Sequence, residues 1–148
     1  MILFDVNILI YAHRKDQADH DYFRDRFEAE VRKPSPFGLT PNVAAGFLRI
    51  TTHPNFPNGP TPLAQALAVI DGLLLLPNCR WVSPGPRHWE LLASLVRAAR
   101  IGGKAVADAQ HAAIAIEQAC TWVTRDADFR AFVPHGLRLD LWEPQTGS

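Results

Sequence analysis

The chain has 148 residues, 47% of them hydrophobic and 20% charged, which excludes a disordered or fibrous protein and predicts one domain, residues 1–148, with a sizeable core. Its 15 basic and 15 acidic side chains cancel, so no global field draws it to nucleic acid and any such contact must be local. Cys79 and Cys120 lack the CxxC spacing of a zinc or redox motif and read as buried thiols in a reducing compartment.

In chain order, the continuous apolar run Ile2 to Asp5 predicts a buried parallel strand. A short helix, Ile8 to Ala12, follows, and either Asp5 or Asn7 can cap it by accepting backbone N–H bonds. The segment MILFDVNILIYAH has an acid in its middle and no basic leader, so it is not expected to be a signal peptide. From Asp19 to Val31 an amphipathic helix repeats Phe23, Phe27 and Val31 against Arg24, Asp25, Glu28 and Arg32. Lys33 to Gly38 ends it with prolines and a glycine. Thr40 then offers a hydroxyl cap, with Pro41 in the first helical position, for a helix reaching about Thr51.

The stretch His53 to Pro62 is too rich in proline and glycine to be anything but loop. Thr61 and Pro62 restart a helix with Leu63, Ala66, Leu67, Ile70 and Leu74 on its apolar face. The nearby run Leu73–Pro77 falls far short of the ~20 apolar residues of a membrane span, so a cytoplasmic protein with no membrane contact is expected. Cys79 to Ser83 predicts a strand, Pro84 to Pro86 a loop, and Arg87 to Ala99 a helix. After the break Arg100–Lys104, seven alanines between Ala105 and Ala119 make a helix that can pack closely on two sides. Thr121 to Thr124 is the next strand, Arg125 to Phe129 its outgoing turn, and His135 to Trp142 an edge strand with Arg138, Asp140 and Trp142 on its wet face. Strands alternating with helices predict an α/β fold with a mostly parallel sheet.

In such sheets ligands sit at the carboxyl ends of the strands, where strand order reverses. Asp5 ends one strand, Asp126 and Asp128 follow another, and Asp108 starts the helix between. A dipole-favoured acid in a first helical turn is the plainer account of Asp108. Convergent carboxylates repel one another unless a cation neutralises them, and oxygen-only ligands suit Mg²⁺ or Mn²⁺. Such ions activate water and stabilise phosphate charge, the chemistry of metal-dependent nucleases. The basic side chains of Arg14, Lys15, Arg49, Lys104, Arg125 and Arg130 flank these acids in sequence. Most read as solvated charges, while Arg14, Arg49, Lys104 and Arg125 are the candidates for holding RNA phosphates. His111 lies on the helical face of Asp108, within reach of a substrate, but a packed or exposed histidine explains it better. The four tryptophans read as core or interface rather than as base-stacking platforms.

The segments MILFDVNILIYAH, FLRITTHP, ADAQHAAIAIE and WVTRDADF occur in that order across almost the whole chain, with PTP and GPRHW between them. Together they resemble the VapC-type toxins of the PIN-domain ribonucleases. The resemblance implies a three-layer α/β/α PIN-like fold with a mostly parallel central sheet. It implies a Mg²⁺-dependent endoribonuclease, with Mn²⁺ as a substitute, that cleaves RNA with metal-activated water as the toxin of a type II toxin–antitoxin system. Asp5 and Asp108 would be the principal metal ligands, Asp126 would complete the catalytic set, and Asp128 would be auxiliary. Asn7 and Thr124 would orient Asp5 or a bound water. The partners implied are a VapB-type antitoxin, an RNA substrate and a second copy in a homodimer. One departure stands out. Gly46 occupies the place before FLR where a glutamate is expected, which raises the alternative of a catalytically weak or silent module that binds antitoxin or RNA. Glu90 is a conceivable substitute, though a solvated helix face accounts for it better.

Overall fold

A computed structural model describes residues 1–145. The chain begins with β1 (Ile2–Phe4), α1 (Val6–His13), α2 (His20–Val31), β2 (Phe37–Leu39) and α3 (Pro41–Thr51). It continues through α4 (Leu63–Leu74), β3 (Cys79–Trp81), α5 (His88–Ala99), α6 (Ala105–Glu117) and β4 (Thr121–Thr124), then a 3-10 helix (Ala127–His135) and β5 (Arg138–Leu141).

The five strands form one sheet in the order β3-β2-β1-β4-β5, and every pairing is parallel. Its inner strands are buried throughout their central residues, Leu3, Phe4, Phe37, Leu39, Trp122 and Val123, as a parallel sheet covered by helices on both faces requires. The chain steps outward from β1 through β2 to β3, then crosses back to β4 and β5. Strand order therefore reverses between β1 and β4, and their carboxyl ends carry Asp5 and Thr124.

Several local expectations change. The segment before Thr40 contains β2, which FGL conceals because three residues show no periodicity. Gly38 is needed there: a Cβ would run into the Leu3 side chain of β1 and lie 2.8 Å from Val82 Cγ2. The Asn78 amide fastens the approach to β2 by donating to Val31 O and Lys33 O, each at 2.9 Å. After β4 the chain does not merely turn, since the 3-10 helix continues to His135 and β5 starts only at Arg138. Trp142, expected on a wet face, is buried edge-on against Phe4 at 5.8 Å, with Arg26 stacked over it at 4.5 Å. On α4 the buried residues are Ala66, Ile70 and Leu73, while Leu63, Leu67 and Leu74 stay exposed. Cys120 is buried but Cys79 only partly so. Trp122 belongs to the core, whereas Trp81 and Trp89 are exposed.

Of the six alanines in α6, four pack inside as their size predicts, while Ala105 is only partly buried and Ala107 is exposed. Ala109, Ala112, Ala113 and Ala115 are all buried together with Ile114, so the helix lies close on the sheet and brings its first turn beside the ends of β1 and β4.

Candidate active site

Asp5 is the first residue after β1 and the N-cap of α1. Its Oδ1 accepts from the Val6 N–H at 2.6 Å and its Oδ2 from the Thr124 hydroxyl at 2.7 Å. Capping and site chemistry therefore share one carboxylate. Thr124, fully buried at the end of β4, uses the same oxygen to accept from Asn7 Nδ2 at 3.2 Å and from the Asp126 N–H at 3.0 Å. Asn7 completes the link, its Oδ1 accepting from the Arg125 N–H at 3.3 Å. One threonine hydroxyl and one amide thus tie the two strand ends together.

Asp108 lies in the first turn of α6, half-buried, where the helix dipole favours its charge. Asp126 caps the 3-10 helix, its Oδ1 accepting from the Asp128 N–H at 2.9 Å, and Asp128 itself is exposed. Burial pushes the Asp5 carboxyl up to about 6; hydrogen bonds from Thr124 and Val6 oppose this, and the charges of Asp108 and Asp126 add to it. Burial likewise raises Asp108, with Asp126 and Asp128 adding repulsion. Each acid in the set is thus felt by another.

This donor set fits a hard divalent cation, because it offers only oxygens and carries a repulsion that positive charge would relieve. Among the described residues no three Asp, Glu, His or Cys side chains stand close enough to hold an ion by themselves. Mg²⁺ suits such an open site, since it takes one or two carboxylates and keeps its waters.

The four basic candidates divide. Arg14 holds Asp16 with two bonds of 2.9 and 2.6 Å, donates to Thr61 Oγ1 at 3.0 Å and stacks over Phe56. Arg125 is paired with Asp19 at 2.9 Å. Arg49, three residues past Gly46 on α3, and Lys104, at the start of α6, are both exposed. Neither ion pair was visible in the sequence, where Asp16 is an acid in a polar loop and Asp19 merely opens the following helix.

His111 packs flat on Trp122 at 4.9 Å, and burial lowers it to about 4, so it is neutral near pH 7. Glu90 is exposed beside Arg87, near the end of α6 where the Arg87 N–H meets Glu117 at 2.8 Å. That end is on the order of 13 Å along the helix from Asp108, so Glu90 does not replace the acid missing at Gly46. At Gly46 a Cβ would lie 2.9 Å from Val6 Cγ2.

A family model described as PIN domain matches residues 2–133. Ribonuclease VapC25 of Mycobacterium tuberculosis is 39% identical over 132 residues, covering 89% of this chain and 93% of its own. The VapC ribonuclease Mb2897 of Mycobacterium bovis is 36% identical over the same length, covering 89% and 90%. In structure, VapBC2 from Rickettsia felis, bound to a DNA fragment from their promoter, aligns with a TM-score of 0.66 and 21% identity over 97% of this chain and 100% of that one.

Proposed function

The chain belongs to the PIN-domain family, and from that premise we propose that it is a VapC-type endoribonuclease, the toxin of a toxin–antitoxin pair, that hydrolyses RNA with the help of Mg²⁺. The observation that carries this reading is the hydrogen-bonded junction of Asp5, Asn7, Thr124 and Asp126 at the point of strand reversal, with Asp108 repelling it from α6. Relatives named as ribonucleases support the class of reaction.

Asp5, Asp108 and Asp126 would hold the cation, part of them through the waters that Mg²⁺ retains rather than by direct ligation, with Asp128 in an auxiliary place. When bound, it would neutralise phosphate charge and make water a better nucleophile near neutral pH. Thr124 and Asn7 keep Asp5 in a single orientation. Arg49 and Lys104, the exposed cations of the four, would hold flanking phosphates. Attack of water on phosphorus with cleavage of the P–O3′ bond leaves a 3′-hydroxyl and a 5′-phosphate. A VapB-type antitoxin, supported by the VapBC complex among the structural neighbours, and self-pairing into a dimer complete the reading.

The test is cleavage of RNA by antitoxin-free protein with Mg²⁺ or Mn²⁺, comparing wild type with Asp5→Asn and Asp108→Asn. Loss of cleavage in both variants is expected; equal cleavage by all three would remove these carboxylates from the reaction. Gly46 favours a second reading, a silent binding module, for which wild type would show neither cleavage nor Asp5-dependent binding of Mg²⁺.

A further inference from the structure

Asp19 is the N-cap residue of α2, yet its side chain makes no capping hydrogen bond, and its backbone is left-handed at φ 63°. Both features are unfavourable: an unused aspartate cap forgoes a hydrogen bond to the first turn, and the left-handed region is costly for a residue with a Cβ. What Asp19 does instead is reach Arg125, Oδ2 to Nη2 at 2.9 Å. The Arg125 guanidinium also lies over Tyr11 at 4.7 Å and Phe23 at 5.1 Å, rings that stack on each other at 4.9 Å. Its Nη1 is buried without a partner among the described residues. Two helices, α1 and α2, therefore hold the planar head of one residue.

That residue stands between Thr124 and Asp126, and its own N–H donates to Asn7 Oδ1. We infer that Arg125 is a positioning residue, a strut through which Asp19, Tyr11 and Phe23 fix the Thr124–Asp126 turn, rather than a ligand for RNA phosphate. The inference rests on the proposed metal site but concerns only how its acidic turn is held. A phosphate ligand needs a free guanidinium edge turned to solvent; here Nη2 is ion-paired, Nη1 is buried, and the stacked Tyr11 and Phe23 rings flank the head on one side, so the 31% of the side chain that stays exposed leaves little of the fork for a phosphate.

The experiment uses full-length protein and three readouts: Mn²⁺ affinity by calorimetry, affinity for a single-stranded RNA oligonucleotide in EDTA, and hydrogen exchange of the Asp126 and Asp128 amides. A strut predicts that Arg125→Gln and Asp19→Ala each weaken Mn²⁺ binding by about 10-fold, as removal of an outer-sphere partner does. The double variant should then be no worse than either single one, and Arg125→Lys should recover part of the loss. Both single variants should speed exchange of the two amides while RNA affinity in EDTA stays unchanged. Weaker RNA binding in Arg125→Gln alone, with Mn²⁺ affinity and exchange intact, would overturn the inference in favour of a phosphate ligand. If wild type binds no Mn²⁺, the metal reading fails, and amide exchange alone decides: no acceleration in either variant refutes the strut.

Discussion

The Thr124 hydroxyl donates to Asp5 Oδ2 at 2.7 Å across 119 residues of sequence, and the same oxygen accepts from Asn7 and from the Asp126 N–H. Three contacts converge on one buried oxygen. Thr124→Val keeps the shape but leaves the Asn7 amide and the Asp126 N–H short of a partner. A loss of roughly 1 to 3 kcal/mol is expected, together with weaker Mn²⁺ binding because Asp5 loses the bond that favours its charged form. Thr124→Ser, which keeps the hydroxyl, should retain most of both. Urea denaturation and calorimetry check the pair, and equal behaviour of Val and Ser would deny the hydroxyl its role.

Asp5→Asn should stabilise the metal-free protein near neutral pH. Burial raises the Asp5 carboxyl from 3.8 to about 6, so its contribution to stability is complete below about pH 4 and is lost as pH rises through 6. Asparagine has no charge to desolvate, which predicts a gain of roughly 1 to 3 kcal/mol at pH 7.5 that vanishes near pH 4. Saturating Mg²⁺ should reverse the ranking by stabilising only the wild type. Thermal melts in EDTA and in Mg²⁺ read this directly, and a less stable Asp5→Asn in EDTA would contradict the burial argument.

His111 predicts the opposite slope in the same window. Burial against Trp122 lowers it from 6.5 to about 4, so only the unfolded chain takes up a proton between those values. Stability from His111 is present above about 6.5 and is lost as pH falls toward 4. Asp5 and His111 thus offset each other in wild type between about pH 4 and 6. His111→Phe, which keeps the stacked ring, should expose a stability that declines with rising pH; Asp5→Asn should expose one that increases. Denaturation midpoints from pH 4 to 7 decide the matter, and parallel curves for both variants would refute it.

Which of these relations the sequence disclosed follows from their range. Asp5, Asp108 and Asp126 were legible because acids after apolar strands and at helix starts are placed by local pattern alone, and the resemblance to VapC-type toxins supplied their order. The all-parallel sheet was foreseen as mostly parallel from the alternation of elements. β2 escaped because its three residues include Gly38, chosen for a close approach to Leu3 and Val82 that only tertiary structure reveals. The 3-10 helix escaped because Pro134 lies inside it and argues against any helix. The Arg125–Asp19 pair joins residues 106 apart through a left-handed aspartate, and no spacing rule anticipates such a contact.

At Gly46 the effect of a substitution depends on its neighbour. Within α3, replacing glycine by alanine ordinarily gains roughly 0.5 to 1 kcal/mol. Here the new Cβ would sit 2.9 Å from Val6 Cγ2. Val6 is buried and β-branched in the first turn of α1, where one rotamer dominates, so it does not turn aside freely. Gly46→Ala is therefore expected to be neutral or to destabilise by about 1 to 2 kcal/mol, while in a Val6→Ala background it should show the ordinary helical gain. The same coupling governs the missing acid. Gly46→Glu alone displaces Val6, the residue after Asp5, and should not strengthen Mn²⁺ binding; Gly46→Glu with Val6→Ala has room for the carboxylate and should. A double-mutant cycle on stability and Mn²⁺ affinity tests both statements, and a Gly46→Glu variant as stable as wild type with the same affinity in either background would show that the glycine and Val6 do not control this corner of the site.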